Sequence, residues 1–282
     1  MSMAEGVTAL AAPGNSNFIL KSEDITRKIL NDGKSKKLSS PQIANQIIRE
    51  IRQFTGVADP YQEFKVREMA QAKNVFMQLK AHVGDSLQSR VRFSILGNSL
   101  DFFENPKQAL AEIPQLFYRK ESFFFRDDVD QLEAFLSKKP GKILYLTDNA
   151  GEIYFDMPLY DYLRNVCDQT ILVVKGGPAL NDLTRAELQL AALENKFEHV
   201  ADTGTDGAGI DWDYVSDDFL DHIHSADLIL SKGMANFETL CNCKLLPATL
   251  FLFKAKCEPV SSFIRAPANS FLALWKDHRS EI

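Results

Sequence analysis

The sequence predicts an α/β protein: a three-layer α/β/α core around a mainly parallel sheet, preceded by an all-α helical domain. Two features of the chain predict it. Up to about residue 138 apolar residues recur at helical spacing, whereas beyond it short β-branched and aromatic runs alternate with helical stretches. Each of those runs ends in a loop of Gly, Asn, Asp or Lys directly before a helix, as parallel strands joined by crossover helices require. The polar turn Lys138-Lys139-Pro140-Gly141 sets the expected boundary between a helical domain, residues 1–138, and an α/β/α domain, residues 139–282.

Residues 1–17 are mostly small and polar and read as a poorly ordered start. Residues 24 to about 54 read as helical. Within them Ser39 stands at an N-cap before Ser40-Pro41, with Ile43, Ile47, Ile48 and Ile51 on one face. Asp59-Pro60-Tyr61 opens the next helix, in which Phe64, Met69, Val75, Phe76 and Leu79 recur up to about Val83. A further helix is expected over 86–101, a loop at Asn105-Pro106, and one more helix beginning at Phe123-Phe124-Phe125-Arg126-Asp127-Asp128. Past the boundary, five strands are expected at 143–147, 170–174, 197–201, 227–230 and 249–253. No internal repeat interrupts this order.

The chain of 282 residues is 45% hydrophobic and 25% charged, enough apolar residue for a proper core. A formal net charge of −6 and a pI near 5.5 argue against nucleic acid or an anionic membrane as the main partner. No run approaches the roughly 20 apolar residues of a membrane span, and the N-terminal stretch lacks a signal-peptide pattern. Cys167, Cys241, Cys243 and Cys257 form no disulfide framework. The expectation is a reduced, cytoplasmic protein.

The chemistry collects where strands end. Successive strand ends offer Asp148-Asn149, then Lys175 with Asn181-Asp182, then Asp202 with its Gly-rich turn, then Lys232 with Asn236. In an open α/β sheet these loops face one crevice, where ligands bind beyond the carboxyl ends of the strands. Carboxylates with amide oxygens suit a hard divalent cation such as Mg2+ or Mn2+. Lys175 and Lys232 add charge for phosphate oxygens, and the glycines let backbone N–H groups approach closely. The alternative is structural: Asp148, Asn149 and Asp182 cap the helices that follow them.

Read together, several of these stretches resemble one family. Asp148-Asn149-Ala150-Gly151-Glu152-Ile153 with Phe155-Asp156, Lys175-Gly176-Gly177-Pro178 with Asn181-Asp182, and Ser231-Lys232-Gly233 with Asn236-Phe237-Glu238 are similar to motifs of the damage-control phosphatases. That family is also known as a former domain of unknown function and as acidic-residue-methyltransferase-like. Asp59-Pro60-Tyr61 with Lys65, and Gly97-Asn98-Ser99-Leu100-Asp101, extend the resemblance over roughly residues 55 to 260. It implies a helical domain on an α/β/α core, and hydrolysis of small phosphomonoesters such as sugar phosphates or damaged phosphometabolites. The implied cofactor is one divalent ion (Mn2+, Mg2+, Co2+ or Ni2+), held by Asp148, Asn149 and Asp182. Lys232 falls on the position that resembles the phosphate-holding lysine. Glu152 and Asp101 are the implied candidates for positioning the attacking water, and Asn98, Lys175, Asn181 and Asn236 for binding substrate. The chain departs from some relatives in lacking a Cys-x-x-Cys near its start and in carrying Pro267-Ala268-Asn269-Ser270 where a glycine is usual. Two other functions compete: a non-catalytic protein that binds a phosphorylated metabolite, and an S-adenosylmethionine-dependent carboxyl methyltransferase. The second finds no strand followed by a Gly-x-Gly loop.

Other conspicuous residues read as structural. His222 and His224 are two apart on an expected helix and point to different faces. Cys241, Cys243 and Cys257 lack a fourth zinc ligand at a familiar spacing. Asp211 and Asp213 are expected to favour the N-terminus of the next helix. Phe123-Phe124-Phe125 is expected in the core of the helical domain, and Ser39 as a cap.

Overall fold

The computed structural model describes residues 3–99 and 123–277; Asp101 and the loop at Asn105-Pro106 lie outside the described residues. From Met3 onward the chain is helical where a poorly ordered stretch is expected. Helix α1 (Met3–Ala11) buries Ala4 and Val7 against Ile47, Ile48 and Ile51 of α3 (Ser40–Thr55). Small residues there allow close helix approach and are not a sign of disorder. Between them α2 (Ser16–Lys36) is capped by Asn15, and Lys37, in the left-handed region at φ 56, ends it. The stretch 24–54 is therefore two helices. Ser39 and Gln42 form a reciprocal capping box at the start of α3, and Gly56 at φ 72 closes its end.

Helices α4 (Gln62–Leu79) and α5 (Leu87–Ser99) follow. Their apolar faces, among them Met69, Val75, Val91, Phe93 and Ile95, join the main core over the sheet, whereas α1 and α3 share a smaller cluster with Tyr61.

The sheet has seven strands in the order β1-β7-β6-β5-β2-β3-β4. They are β1 (Phe124–Asp127), β2 (Lys142–Leu146), β3 (Gln169–Val174), β4 (His199–Asp202), β5 (Leu228–Lys232), β6 (Ala248–Lys254) and β7 (Phe271–Lys276). All neighbours run parallel except β6 and β7. The five expected strands are β2 to β6, within about two residues at each end. Phe123 to Asp127 corrects the expectation: it does not begin a helix but supplies strand β1, followed by helix α6 (Val129–Leu136). Its aromatics alternate as a strand requires, with Phe124 buried and Phe125 exposed. Phe123 stacks on Phe271 of β7 at a 4.8 Å centroid distance.

Helices cover both faces. One core cluster joins α4, α5, α6 and α7 (Ile153–Val166) to one side of the sheet. The other joins α9 (Asp217–Ser225), α10 (Met234–Leu240) and α11 (Glu258–Phe263) to the opposite side. Between β3 and β4 lies the short α8 (Arg185–Leu190). This is the expected three-layer arrangement. Among the described residues no helix is long and apolar enough to cross a membrane.

Two arginines of α3 reach the loop after β4. Arg49 lies 2.8 Å from both Asp206 and Asp211, and Arg52 lies 2.7 Å from Asp206. Asp211 therefore corrects another expectation: it pairs with Arg49 and accepts from Asn45, while α9 is capped by Ser216. Because Arg49, Arg52 and Asp206 stay partly solvated, Asp206→Ala is expected to cost only about 1 kcal/mol. A shift in the urea midpoint at constant slope is the check.

Candidate active site

The chain winds from β2 outward through β3 to β4, then returns to the other side of β2 for β5 and β6. Strand order thus reverses between β2 and β5, the topological switch point at which open α/β sheets form their crevice. Thr147, just past β2, donates its N–H to Val173 at 3.0 Å and so keeps the chain in register up to Asp148.

Asp148, Asn149 and Asp182 are brought together by backbone pairing between two strand-end loops. Leu183 N–H donates to Asp148 O at 2.8 Å, Ala150 N–H to Asn181 O at 2.9 Å, and Asn149 bridges to Asp182. From the other side Gly233, at φ 84, lets the end of β5 pass against Asp148. A Cβ at that position would lie 2.1 Å from Asp148 Cγ. Only glycine fits there, for its dihedral and for the space it leaves.

The helix-capping alternative is not what these residues do. Asn149 makes no capping hydrogen bond to the short 3-10 turn Ala150–Glu152, and α8 is capped by Thr184 in a capping box with Glu187. Instead Asn149 Nδ2 donates to Glu152 at 2.6 Å, and Asn98 Nδ2 lies 2.8 Å from Asp148 and 2.7 Å from Glu152. Asn98 also accepts the Lys254 N–H at 3.2 Å, tying α5 to the end of β6.

The two lysines are not loop residues waiting for a ligand. Lys232 ends β5, is fully buried, and donates to Asp156 Oδ1 at 2.6 Å, Glu152 Oε2 at 2.9 Å and Ser94 O at 3.1 Å. All three of its N–H groups are taken. Lys175 is buried too; it donates to Gly209 O at 2.6 Å and Asn236 Oδ1 at 3.0 Å, and lies 3.6 Å from Asp182. Asn236 passes the connection on to Thr147 O and Lys232 O. Asn181 Nδ2 lies 3.5 Å from both carboxylate oxygens of Glu68. Asp202 is not brought to this group: it ends the edge strand β4 and holds the Gly204 N–H. The Gly-rich turn after it packs against Gly176, whose N–H donates to Thr205 O at 2.9 Å.

Charge follows from burial and neighbours. Burial, with the charges of Glu152 and Asp182, pushes the Asp148 carboxyl well above its ordinary range. Burial likewise raises Asp182, against the pull of Lys175. Burial also acts on Glu152, but the Lys232 ammonium outweighs it and holds that carboxyl below the usual range. Lys232 is in turn raised, since Asp156 and Glu152 overcome its desolvation.

Two acids in this group had no site role in the sequence expectation, Asp156 having entered only as part of a motif. Glu68 of α4 is buried and pushed well up by that burial and by Glu152. Asp156 of α7 accepts from Lys232, from Ser94 at 2.6 Å and from Tyr145 at 2.8 Å. The signal was present: both are carboxylates inside an otherwise apolar helical stripe, as is the ammonium of Lys65. Lys65 is fully buried 2.8 Å from Asp59 and 2.7 Å from Glu187, and so ties α4 to the capping box beside Asp182.

The donor set suits a hard cation. Among the described residues no three His, Cys, Asp or Glu side chains group closely enough to hold a metal by themselves. A cation here would draw on Asp148, Asp182 and the amide oxygen of Asn149. Asp182 Oδ2 is buried with no hydrogen-bond partner, the Lys175 ammonium standing 3.6 Å away, and its lone pairs are open to a bound cation.

The sequence profile of the damage-control phosphatase ARMT1-like domain matches residues 15–270. The chain belongs to this family. A damage-control phosphatase of Archaeoglobus fulgidus is 32% identical over 263 residues, spanning 92% of this chain and 90% of that protein. Another, from Pyrococcus horikoshii, is 32% identical over 238 residues, 83% of this chain and 81% of that one. A crystal structure of a DUF89 family protein from Pyrococcus horikoshii superposes with a TM-score of 0.83 at 28% identity, covering 96% and 94% of the two chains. The family resemblance and the fold it implies are thus borne out, and the phosphatase names of these relatives support a phosphatase role.

Proposed function

We propose that this damage-control phosphatase family member hydrolyses small phosphomonoesters with one divalent metal ion. The observation that carries the metal is the pairing of two strand-end loops that brings Asp148, Asn149 and Asp182 together at the switch point, with Asp182 Oδ2 buried there and its ion-pair partner Lys175 no nearer than 3.6 Å. Asp148, Asn149 and Asp182 would hold the ion, which when bound supplies Lewis-acid charge and an acidified water.

The chain's own residues do the rest. Asn98 fixes Asp148 and Glu152 relative to each other through one amide nitrogen. Lys232 keeps Glu152 ionised, so Glu152 is the acceptor suited to orient the attacking water. Asp101 was the other candidate for that task on family resemblance. Helices α4 and α5 close one side of the crevice and limit bulk water. The substrate class, a sugar phosphate or a damaged phosphometabolite, follows from the family resemblance.

The test is phosphate release from a generic phosphomonoester by chelator-treated protein, with and without added Mn2+ or Mg2+. Activity is expected to fall ~10²-fold or more on chelation and return with metal, which should also raise the melting temperature by mass action. Full turnover after chelation would overturn the metal; binding of phosphate without any turnover would favour a non-catalytic binding protein.

A further inference from the structure

We infer that Glu68, on α4 at the wall of the crevice, is the general acid that gives its proton to the leaving oxygen of the phosphate ester. The inference rests on the phosphatase reading above and adds the group that lets a poor leaving group depart.

Hydrolysis of an alkyl phosphate puts charge on an oxygen that leaves reluctantly, and a positioned acid that protonates it contributes ~10²–10⁴-fold. Such an acid must keep its proton while a neighbouring carboxyl stays ionised. The carboxyls of the site divide by the donors they receive. Glu152 takes Lys232 at 2.9 Å, Asn98 at 2.7 Å and Asn149 at 2.6 Å, and so is held as the anion. Asp156 Oδ1 accepts from Lys232, Ser94 and Tyr145. Asp148 and Asp182 are the proposed metal ligands. Among the described residues Glu68 has no hydrogen bond but those from Asn181 Nδ2, 3.5 Å from each of its oxygens, the outer edge of hydrogen-bond distance. It is only 4% exposed. A carboxylate removed from water with no close donor is costly, and taking up a proton removes that cost.

The fold holds this acid against both halves of the site. Gly151, two residues past Asn149, leaves the space that Glu68 fills: a Cβ there would lie 2.9 Å from Glu68 Cγ. Glu68 therefore lies against the turn Ala150–Glu152 that follows Asn149 and ends in Glu152. Asn181, its hydrogen-bond partner, accepts the Ala150 N–H through its main-chain oxygen and directly precedes Asp182. Glu68 thus touches both strand-end loops whose pairing builds the site. Burial is the main force that pushes its carboxyl up, and Glu152 and Asp148 push the same way, against Asn181 and Lys256. A cation at Asp148 offsets part of that push and leaves the burial in place.

The step balances with these two acids. Water forms the new bond to phosphorus and gives one proton to the Glu152 carboxylate. The ester P–O bond breaks, its electron pair passes to the departing oxygen, and the Glu68 proton moves to that oxygen to form the alcohol. Glu68 ends as a carboxylate and Glu152 as an acid, and one proton exchanged with solvent at each resets them as phosphate leaves.

The probe is a pair of esters, p-nitrophenyl phosphate and the sugar phosphate that wild type turns over fastest, each at saturating Mn2+. Nitrophenolate leaves without an acid, whereas an alkoxide does not. Glu68→Gln keeps the shape and an uncharged end. It is expected to lower kcat for the sugar phosphate by ~10²-fold or more, and for p-nitrophenyl phosphate by at least ~10-fold less. In wild type, kcat for the sugar phosphate should fall as pH rises through the raised Glu68 range, because the protonated form is the active one. That limb should be absent from Glu68→Gln. Glu68→Asp, with its acid one methylene shorter, should recover part of the sugar phosphate rate. The Mn2+-dependent melting shift should persist in both variants, since neither alters Asp148, Asn149 or Asp182. Equal falls for the two esters, no fall for either, or a basic limb that survives in Glu68→Gln would overturn Glu68 as the acid. A wild-type protein that turns over neither p-nitrophenyl phosphate nor any sugar phosphate overturns the phosphatase reading and this inference with it.

Discussion

Lys232→Met is expected to lose about 3–5 kcal/mol of stability, the penalty for removing one partner of a buried ion pair. In a chain of this size that lowers the melting temperature on the order of 10 °C. From the sequence, Lys232 reads as a phosphate-holding loop residue, whose loss would cut kcat and leave the fold alone. Its place in the fold predicts otherwise. It is the last residue of a central strand, fully buried, with Glu152 at 2.9 Å and Asp156 at 2.6 Å. Methionine fills the volume and supplies no charge, so two buried carboxylates face each other across an apolar thioether. They must take up protons or admit water. Turnover should also fall, because Glu152 then loses the charge that keeps it ionised. Adding Asp156→Asn neutralises one acid and keeps an acceptor for Ser94 and Tyr145. The double variant should therefore be more stable than the sum of the single losses by ~1 kcal/mol or more. A Lys232→Met protein that melts within a degree of wild type would show that the ion triad is not what the burial implies.

That contrast marks where sequence reasoning runs out. Which residues stand at strand ends was legible, because turn-forming residues punctuate apolar runs too short for helices. Strands β2 to β6 and the meeting of Asp148 with Asp182 followed from it. Strands β1 and β7 were not legible. Phe123-Phe124-Phe125 reads equally as a helix start until Phe271 is seen to stack on it, and β7 follows an irregular turn at Pro267. Nor does a sequence say whether a lysine at a strand end points to solvent or is enclosed by acids from a helix on the same face. Glu152 and Asp156 are four apart on the turn and helix after β2, so one ammonium can serve both. Glu68 was read past because Phe64, Met69 and Val75 dominate the apolar pattern of α4, and Lys65 stood out only by family resemblance, since charge inside such a stripe carries no sign of its partner.

The metal ligands give the sharpest expected loss of activity. Asp182→Asn should reduce phosphate release by more than ~10²-fold, since even residues that only orient metal ligands cost 10–100-fold, while the protein stays folded. The position of residue 182 is set by main-chain bonds: its N–H donates to Ala179 O at 2.9 Å, and Leu183 N–H to Asp148 O at 2.8 Å. Asparagine has the same shape and disturbs neither bond. No helix cap is lost, because Thr184 caps α8. What changes is charge. In the metal-free protein burial holds the Asp182 carboxyl above its ordinary range, next to Lys175 but within reach of Glu152. The substitution takes a carboxylate from the Lys175 ammonium 3.6 Å away, but Lys175 keeps Gly209 O and Asn236 Oδ1, so metal-free Asp182→Asn should stay folded and melt only a few degrees below chelated wild type at most. Added Mn2+ should then separate the two proteins, raising the melting temperature of wild type in proportion to ln(1 + [metal]/Kd) and leaving the variant nearly unmoved. The measurement is a melting series against Mn2+ concentration for both proteins, with phosphate release followed in parallel. A variant that still shows the metal-dependent shift, or that keeps wild-type turnover, places the cation elsewhere and removes Asp182 from the chemistry.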